Sequence, residues 1–93
     1  MPLPHKNRMP EPTSPGELLE EEWLKPLGMS QSALAEKMGV HVQVVNGIVR
    51  ERRAVTAKTA WQLAQALKTT PEFWMNAQTA VDLWEARPEA RRR

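Results

Sequence analysis

The 93-residue chain has no cysteine and no tyrosine, one aspartate (Asp82) and two histidines, His5 and His41. Without cysteine there can be no disulfide, and a zinc finger loses the thiolates on which its tetrahedral site is built. With only four glycines there is no glycine-rich phosphate loop. The few remaining titratable groups form no nucleophile–base pair and no metal-binding pattern, so no enzyme, metal or cofactor is expected. No apolar run approaches the length of a membrane span, and the N-terminus lacks a signal-peptide core. The expectation is a soluble, cytoplasmic protein with no membrane partner, and the missing cysteine suits a reducing compartment.

What is present fits one small domain. A hydrophobic fraction of 41% suffices for a packed helical core. At this size such a core is marginal, and pairing with a second copy would add to it. The net charge of +2 does not by itself point to nucleic acid, but its distribution is uneven. Five acids and no base lie between Glu11 and Glu22, whereas five bases and one acid lie between Arg50 and Lys68. A local positive patch can therefore exist on a nearly neutral chain.

Residues 1–13 hold four prolines and two basic residues and read as a flexible arm. A domain over 14–87 follows, then a basic tail over 88–93 that ends in three arginines. Ser14-Pro15-Gly16-Glu17 starts a first helix by the S-x-x-E capping pattern, with Pro15 pre-set for the first helical position; Pro26 and Gly28 are expected to end it. Ser30 caps a second helix carrying Leu34, Ala35 and Met38, which stops at Gly39. A third runs from about Val42 to Val49. It is rich in β-branched residues, but no partner strand is in sight. Thr56 caps a fourth, with Ala60, Leu63, Ala64 and Leu67 on its core face. Thr70-Pro71-Glu72 opens a fifth, with Phe73, Ala77, Ala80 and Trp84 at helical intervals and Trp74, Val81 and Leu83 widening the apolar surface. The fold class is all-α, with five short helices.

The second helix, its glycine turn and the third helix have the form of a helix-turn-helix unit. Val45 and Ile48 would hold the third helix to the body, leaving His41, Gln43, Val44, Asn46 and Gly47 turned outward. Gln and Asn can each make a bidentate pair with adenine, worth about 1–3 kcal/mol of discrimination, and Val42 or Val44 can touch a thymine methyl. Arg50, Arg52, Arg53 and Lys58 follow at once and suit phosphates, as do the helix starts at Ser30 and Thr56. Each feature alone has an ordinary structural reading: a solvated amide, a capping histidine, a charged loop. Their order and spacing together point to double-stranded DNA.

Residues 30–68 resemble the helix-turn-helix of phage-repressor and Cro-like regulators of the XRE family, through Gln31, Leu34-Ala35, Gly39, Val45, Ile48, Thr56 and Leu63-Ala64. More narrowly, the chain resembles HigA-type antitoxins of the HigBA toxin–antitoxin modules, through Pro15 to Leu19, Trp23 to Gln31, and Thr70 to Asn76. The resemblance spans roughly 14–84 and implies a lambda repressor-like fold. It also implies two tasks: neutralising an mRNA-cleaving, HigB-like RNase toxin, and repressing the protein's own operon from a palindromic operator. By that pattern His41, Val42, Gln43 and Asn46 read bases, while Gln31, Arg50, Arg52 and Arg53 contact phosphates. Gly47 departs from the bulkier residue expected there.

One short reading helix binds weakly, and two-fold pairing sets two such helices about 34 Å apart, one turn of DNA. Trp74, Val81, Leu83 and Trp84 on the last helix are the candidates for a homodimer contact; the alternative is that they complete a monomeric core. Glu17, Glu20, Glu21 and Glu22 are the candidates for facing a basic toxin. A stand-alone repressor and a protein-binding helical adaptor are the other readings.

Overall fold

The computed structural model describes residues 10–88; the outer part of the expected arm, 1–9, and most of the tail, 89–93, lie outside the described residues. The described chain is five helices without a strand.

Helix α1 spans 15–27 in three parts: an α-helical start at Pro15–Leu19, a π-helical turn at Glu20–Leu24 and a closing α-helical turn at Lys25–Leu27. The Ser14 hydroxyl accepts the Glu17 N–H at 3.1 Å, with Pro15 directly behind it. Pro26 does not end this helix, contrary to expectation. A proline ring crowds the carbonyl four residues back and supplies no N–H. The wider turn just upstream, where the Lys25 N–H reaches back five residues to the Glu20 carbonyl, relaxes that crowding. The chain leaves the helix only at Gly28, whose φ of +59° is left-handed.

Helix α2, Gln31–Met38, is capped by the Ser30 hydroxyl on the Ala33 N–H at 3.0 Å and stopped by Gly39 at φ +73°. Helix α3, Val42–Val49, follows after three residues, Gly39 to His41. Its β-branched residues are tolerated because Val45 and Ile48 are fully enclosed and Val42, Val44 and Val49 pack at the core edge. Packing outweighs their modest helix propensity. Helix α4, Ala57–Leu67, begins with a reciprocal cap between Thr56 and Thr59, and α5, Pro71–Glu85, begins on Thr70.

Leu19, Leu24, Leu34, Ala35, Met38, Val45, Ile48, Val55, Ala60, Leu63 and Trp74 form one core. Helix α4 packs against α5, α2 against α3 and α4, and α1 against α3. Helix α5 is rotated from the expected stripe: Trp74 and Gln78 are its buried residues, while Phe73 is 38% exposed. The deepest row therefore runs one residue later than the Phe73–Ala77 pattern. Gln78 tolerates burial because its carbonyl oxygen accepts the Val55 N–H at 2.8 Å and its amide donates to Asp82 at 2.9 Å. Trp74 is completely enclosed, donates its indole N–H to the Thr69 hydroxyl at 2.7 Å, and meets Trp23 and Phe73 at ring separations of 5.2 and 5.0 Å. No helix among the described residues is long and apolar enough to cross a membrane.

Candidate nucleic-acid interface

The close crossing of α2 and α3 rests on small, buried Ala35 in α2 and on Val45 and Ile48 in α3. With those side chains inward, Gln43 faces solvent, and Asn46 and Gly47 are half-buried on the outer side. Asn46 is not free: its Nδ2 donates to the Gln31 side-chain oxygen at 3.1 Å. One residue expected to read a base and one expected to hold a phosphate are thus joined across the helix-turn-helix. The bond restrains the Asn46 amide and uses one of its two N–H donors.

His41 is the N-cap of α3, its Nδ1 accepting the Gln43 N–H at 3.1 Å. Its first role is therefore local, in the turn that launches the helix, although the ring stays exposed. Val42 is half-buried against the core, which leaves a thymine methyl little of its side chain. Ser30 and Thr56 likewise spend their hydroxyls on capping, and both are exposed at the starts of their helices.

Arg50 closes α3, and Arg52, Arg53 and Lys58 are exposed in the loop and first turn beyond it. The loop is a defined structure. Glu51 takes a left-handed φ of +59°, and its carboxylate accepts the Ser14 hydroxyl at 3.0 Å. The N–H groups of Arg52 and Arg53 both donate to the Gly47 carbonyl, at 2.8 and 3.1 Å. Among the described residues the one ion pair is Lys25–Glu21 at 2.9 Å, on the surface of α1, and it raises the Lys25 ammonium above its usual pKa. The arginine loop is thus a cationic rim beside the amide face. That is the layout backbone-gripping and base-reading groups require.

Behind this face the approach is tight. A methyl group placed on Gly16 would lie 2.1 Å from the Ile48 carbonyl oxygen and 2.8 Å from that of Val49. Glycine there lets α1 brace the end of α3. The sequence marked this position only as part of a capping pattern; Glu51 and Gln78 carried no signal beyond their polarity.

The four dimer candidates separate. Trp74 is withdrawn as a contact, because it has no exposed surface. Leu83 is 58% exposed. Trp84 is half-buried, with Arg87 stacked 3.5 Å above its ring, and Val81 is half-buried beside Asp82 and Glu85. On α1, Glu17, Glu21 and Glu22 are exposed and Glu20 is half-buried.

The fold and this face define a helix-turn-helix protein, and the helix-turn-helix family HTH_3 matches residues 21–74. The chain is 50% identical over 76 residues to the antitoxin HigA-1 of Vibrio cholerae, covering 82% of this chain and 71% of that one. It superposes on the structure of antitoxin GraA in complex with its operator with a TM-score of 0.78 and 52% identity, over 87% of this chain and 81% of that one. For the Pseudomonas aeruginosa antitoxin HigA with the higBA promoter the TM-score is 0.77 and the identity 40%, over 81% and 82% of the two chains. The chain belongs to the HigA-type antitoxin family of helix-turn-helix regulators.

Proposed function

We propose that the protein is an antitoxin that represses its own operon by binding a palindromic operator as a homodimer and that silences a cognate, mRNA-cleaving RNase toxin. The observation that carries the DNA half is the joined Gln31–Asn46 pair beside exposed Gln43, with four cations on the adjoining loop and helix start. In this reading α3 lies in the major groove, Gln43 and Asn46 meet base edges, and Arg50, Arg52, Lys58 and the starts of α2 and α4 face phosphates. His41 supports the geometry by capping. The protein binds and does not catalyse, and it works in the cytoplasm, where both DNA and mRNA lie.

The dimer contact centres on Leu83 and the edge of Trp84, since Leu83 is left largely uncovered by the described residues. The acidic side of α1 is the surface offered to a basic toxin. Glu17, Glu20 and Glu22 carry that field, and Glu21 is partly neutralised by Lys25.

The deciding assay is a mobility shift with DNA from immediately upstream of the gene, titrated against a shuffled duplex of the same composition. Equal affinity for the two duplexes refutes operator recognition. The toxin half is tested separately by reversing Glu20, Glu21 and Glu22 to lysine together. Unchanged affinity for the toxin at low salt removes the acidic surface from the proposal.

A further inference from the structure

Gly47 lies on the outer side of α3 in its last turn, one turn beyond Gln43 and opposite buried Val45 and Ile48. A glycine inside a short helix weakens it, and nothing in the backbone demands one there, since Gly47 has no positive φ. The space a side chain would fill is taken by Arg53. A Cβ on Gly47 would stand 3.1 Å from the Arg53 Cβ, 3.3 Å from its Nε and 3.6 Å from its Cδ. The arginine therefore lies across the reading helix rather than out along the loop.

Three features hold it there. Its own N–H and that of Arg52 converge on the Gly47 carbonyl at 3.1 and 2.8 Å. The left-handed Glu51 reverses the chain just before it. The Ser14 hydroxyl at 3.0 Å keeps the Glu51 carboxylate turned toward the start of α1. Among the described residues no carboxylate forms an ion pair with Arg53.

We infer that Arg53, seated over Gly47, is a specificity-determining residue that reads guanine next to the base pair met by Gln43. The inference rests on the operator-binding reading and moves Arg53 from the phosphate rim to the base-reading face. A long side chain laid over the outer side of α3 one turn beyond Gln43 points along the groove the helix enters, whereas phosphates flank that groove. A guanidinium fork presented there matches guanine O6 and N7, the commonest specific arginine contact. A lysine at 53 would keep the charge but not the two-pronged geometry.

The test is selection from a randomised duplex library by the full chain and by its Arg53→Lys, Arg53→Ala and Gly47→Ala variants, with binding read at several salt concentrations. The wild type should enrich a two-fold motif with a strongly preferred guanine in each half-site. Both Arg53 substitutions should cut discrimination at that one position by about 5- to 150-fold and leave the other positions intact. Gly47→Ala should weaken the preference at the same position although Arg53 is present, because the new methyl group crowds the Arg53 Cβ and Nε and shifts the side chain. If the whole motif survives Arg53→Lys and Arg53→Ala, with affinity lowered equally for all sequences and a shallower salt dependence, Arg53 grips phosphate and the inference is overturned alone. If the wild type enriches no sequence, the operator-binding reading fails and takes the inference with it.

Discussion

Replacing Gly16 with alanine tests how tightly the reading helix is braced. The added methyl carbon would fall 2.1 Å from the Ile48 carbonyl oxygen, and even a close C–H···O contact needs about 3.3 Å. Helix α1 and the end of α3 must therefore part by about 1 Å. The obstructing atoms are backbone, so no rotamer change relieves them, and Leu19, Leu24 and Ile48 lose their fit as the helices separate. Overpacking of this kind costs about 1–3 kcal/mol, and rigid neighbours put Gly16 at the upper end. Alanine returns at most about 1 kcal/mol through helix propensity. The net loss is about 2 kcal/mol, which for a domain of this size lowers Tm by about 10 °C. Far-UV circular dichroism during heating measures it directly. Gly47→Ala is the internal control: its tightest contact, 3.1 Å to the Arg53 Cβ, needs relief of only a few tenths of an ångström in an exposed loop, and alanine's helix propensity offsets that, so Tm should hold or rise. A Gly16→Ala protein that melts at or above the wild-type temperature would show that α1 does not clamp α3.

Other substitutions probe separate joints. Ser14→Ala removes both the α1 cap and the tether to Glu51; it should cost about 1 kcal/mol in urea unfolding and loosen the arginine loop, read as weaker binding to any duplex. Gln78→Leu keeps the volume but strands the buried Val55 N–H, a loss of about 1–3 kcal/mol; an unchanged urea midpoint would mean that water replaces the amide. A double-mutant cycle on Gln31→Ala and Asn46→Ala, scored by operator affinity, should show a coupling of about 0.5 kcal/mol or more, because each residue holds the other. Leu83→Arg should produce a monomer in sedimentation at micromolar concentration without lowering the monomer's helix content; a persisting dimer places the contact elsewhere.

Much of this architecture is legible from local chemistry, because each helix carries its own start signal. Ser14, Ser30, Thr56 and Thr70 all cap as their side chains suggest, and Gly28 and Gly39 both take the left-handed stop. The misreadings lie where a distant contact overrides a local rule. Pro26 was expected to break its helix, and a π turn absorbs it. Phe73 headed the apparent apolar row of α5, yet Trp74 is the enclosed residue, because the Trp23 ring and the Thr69 hydroxyl together make a better site for an indole than solvent does. The same enclosure takes Trp74 from any partner surface.

The two glycines that matter most show how far one-dimensional reading reaches. Gly16 and Gly47 are both helical glycines without a positive φ, and in sequence each is simply a poor helix former. At Gly16 the missing side chain admits a rigid carbonyl, so the position serves stability. At Gly47 it admits the root and stem of a long, charged side chain from six residues further along, so the position shapes the outer surface of α3. The atom each glycine makes room for decides its role, and that atom belongs to another part of the chain in both cases. A weak helix residue on an outward face therefore marks a seat worth searching for an occupant. Here the occupant carries the fork that a base edge would recognise.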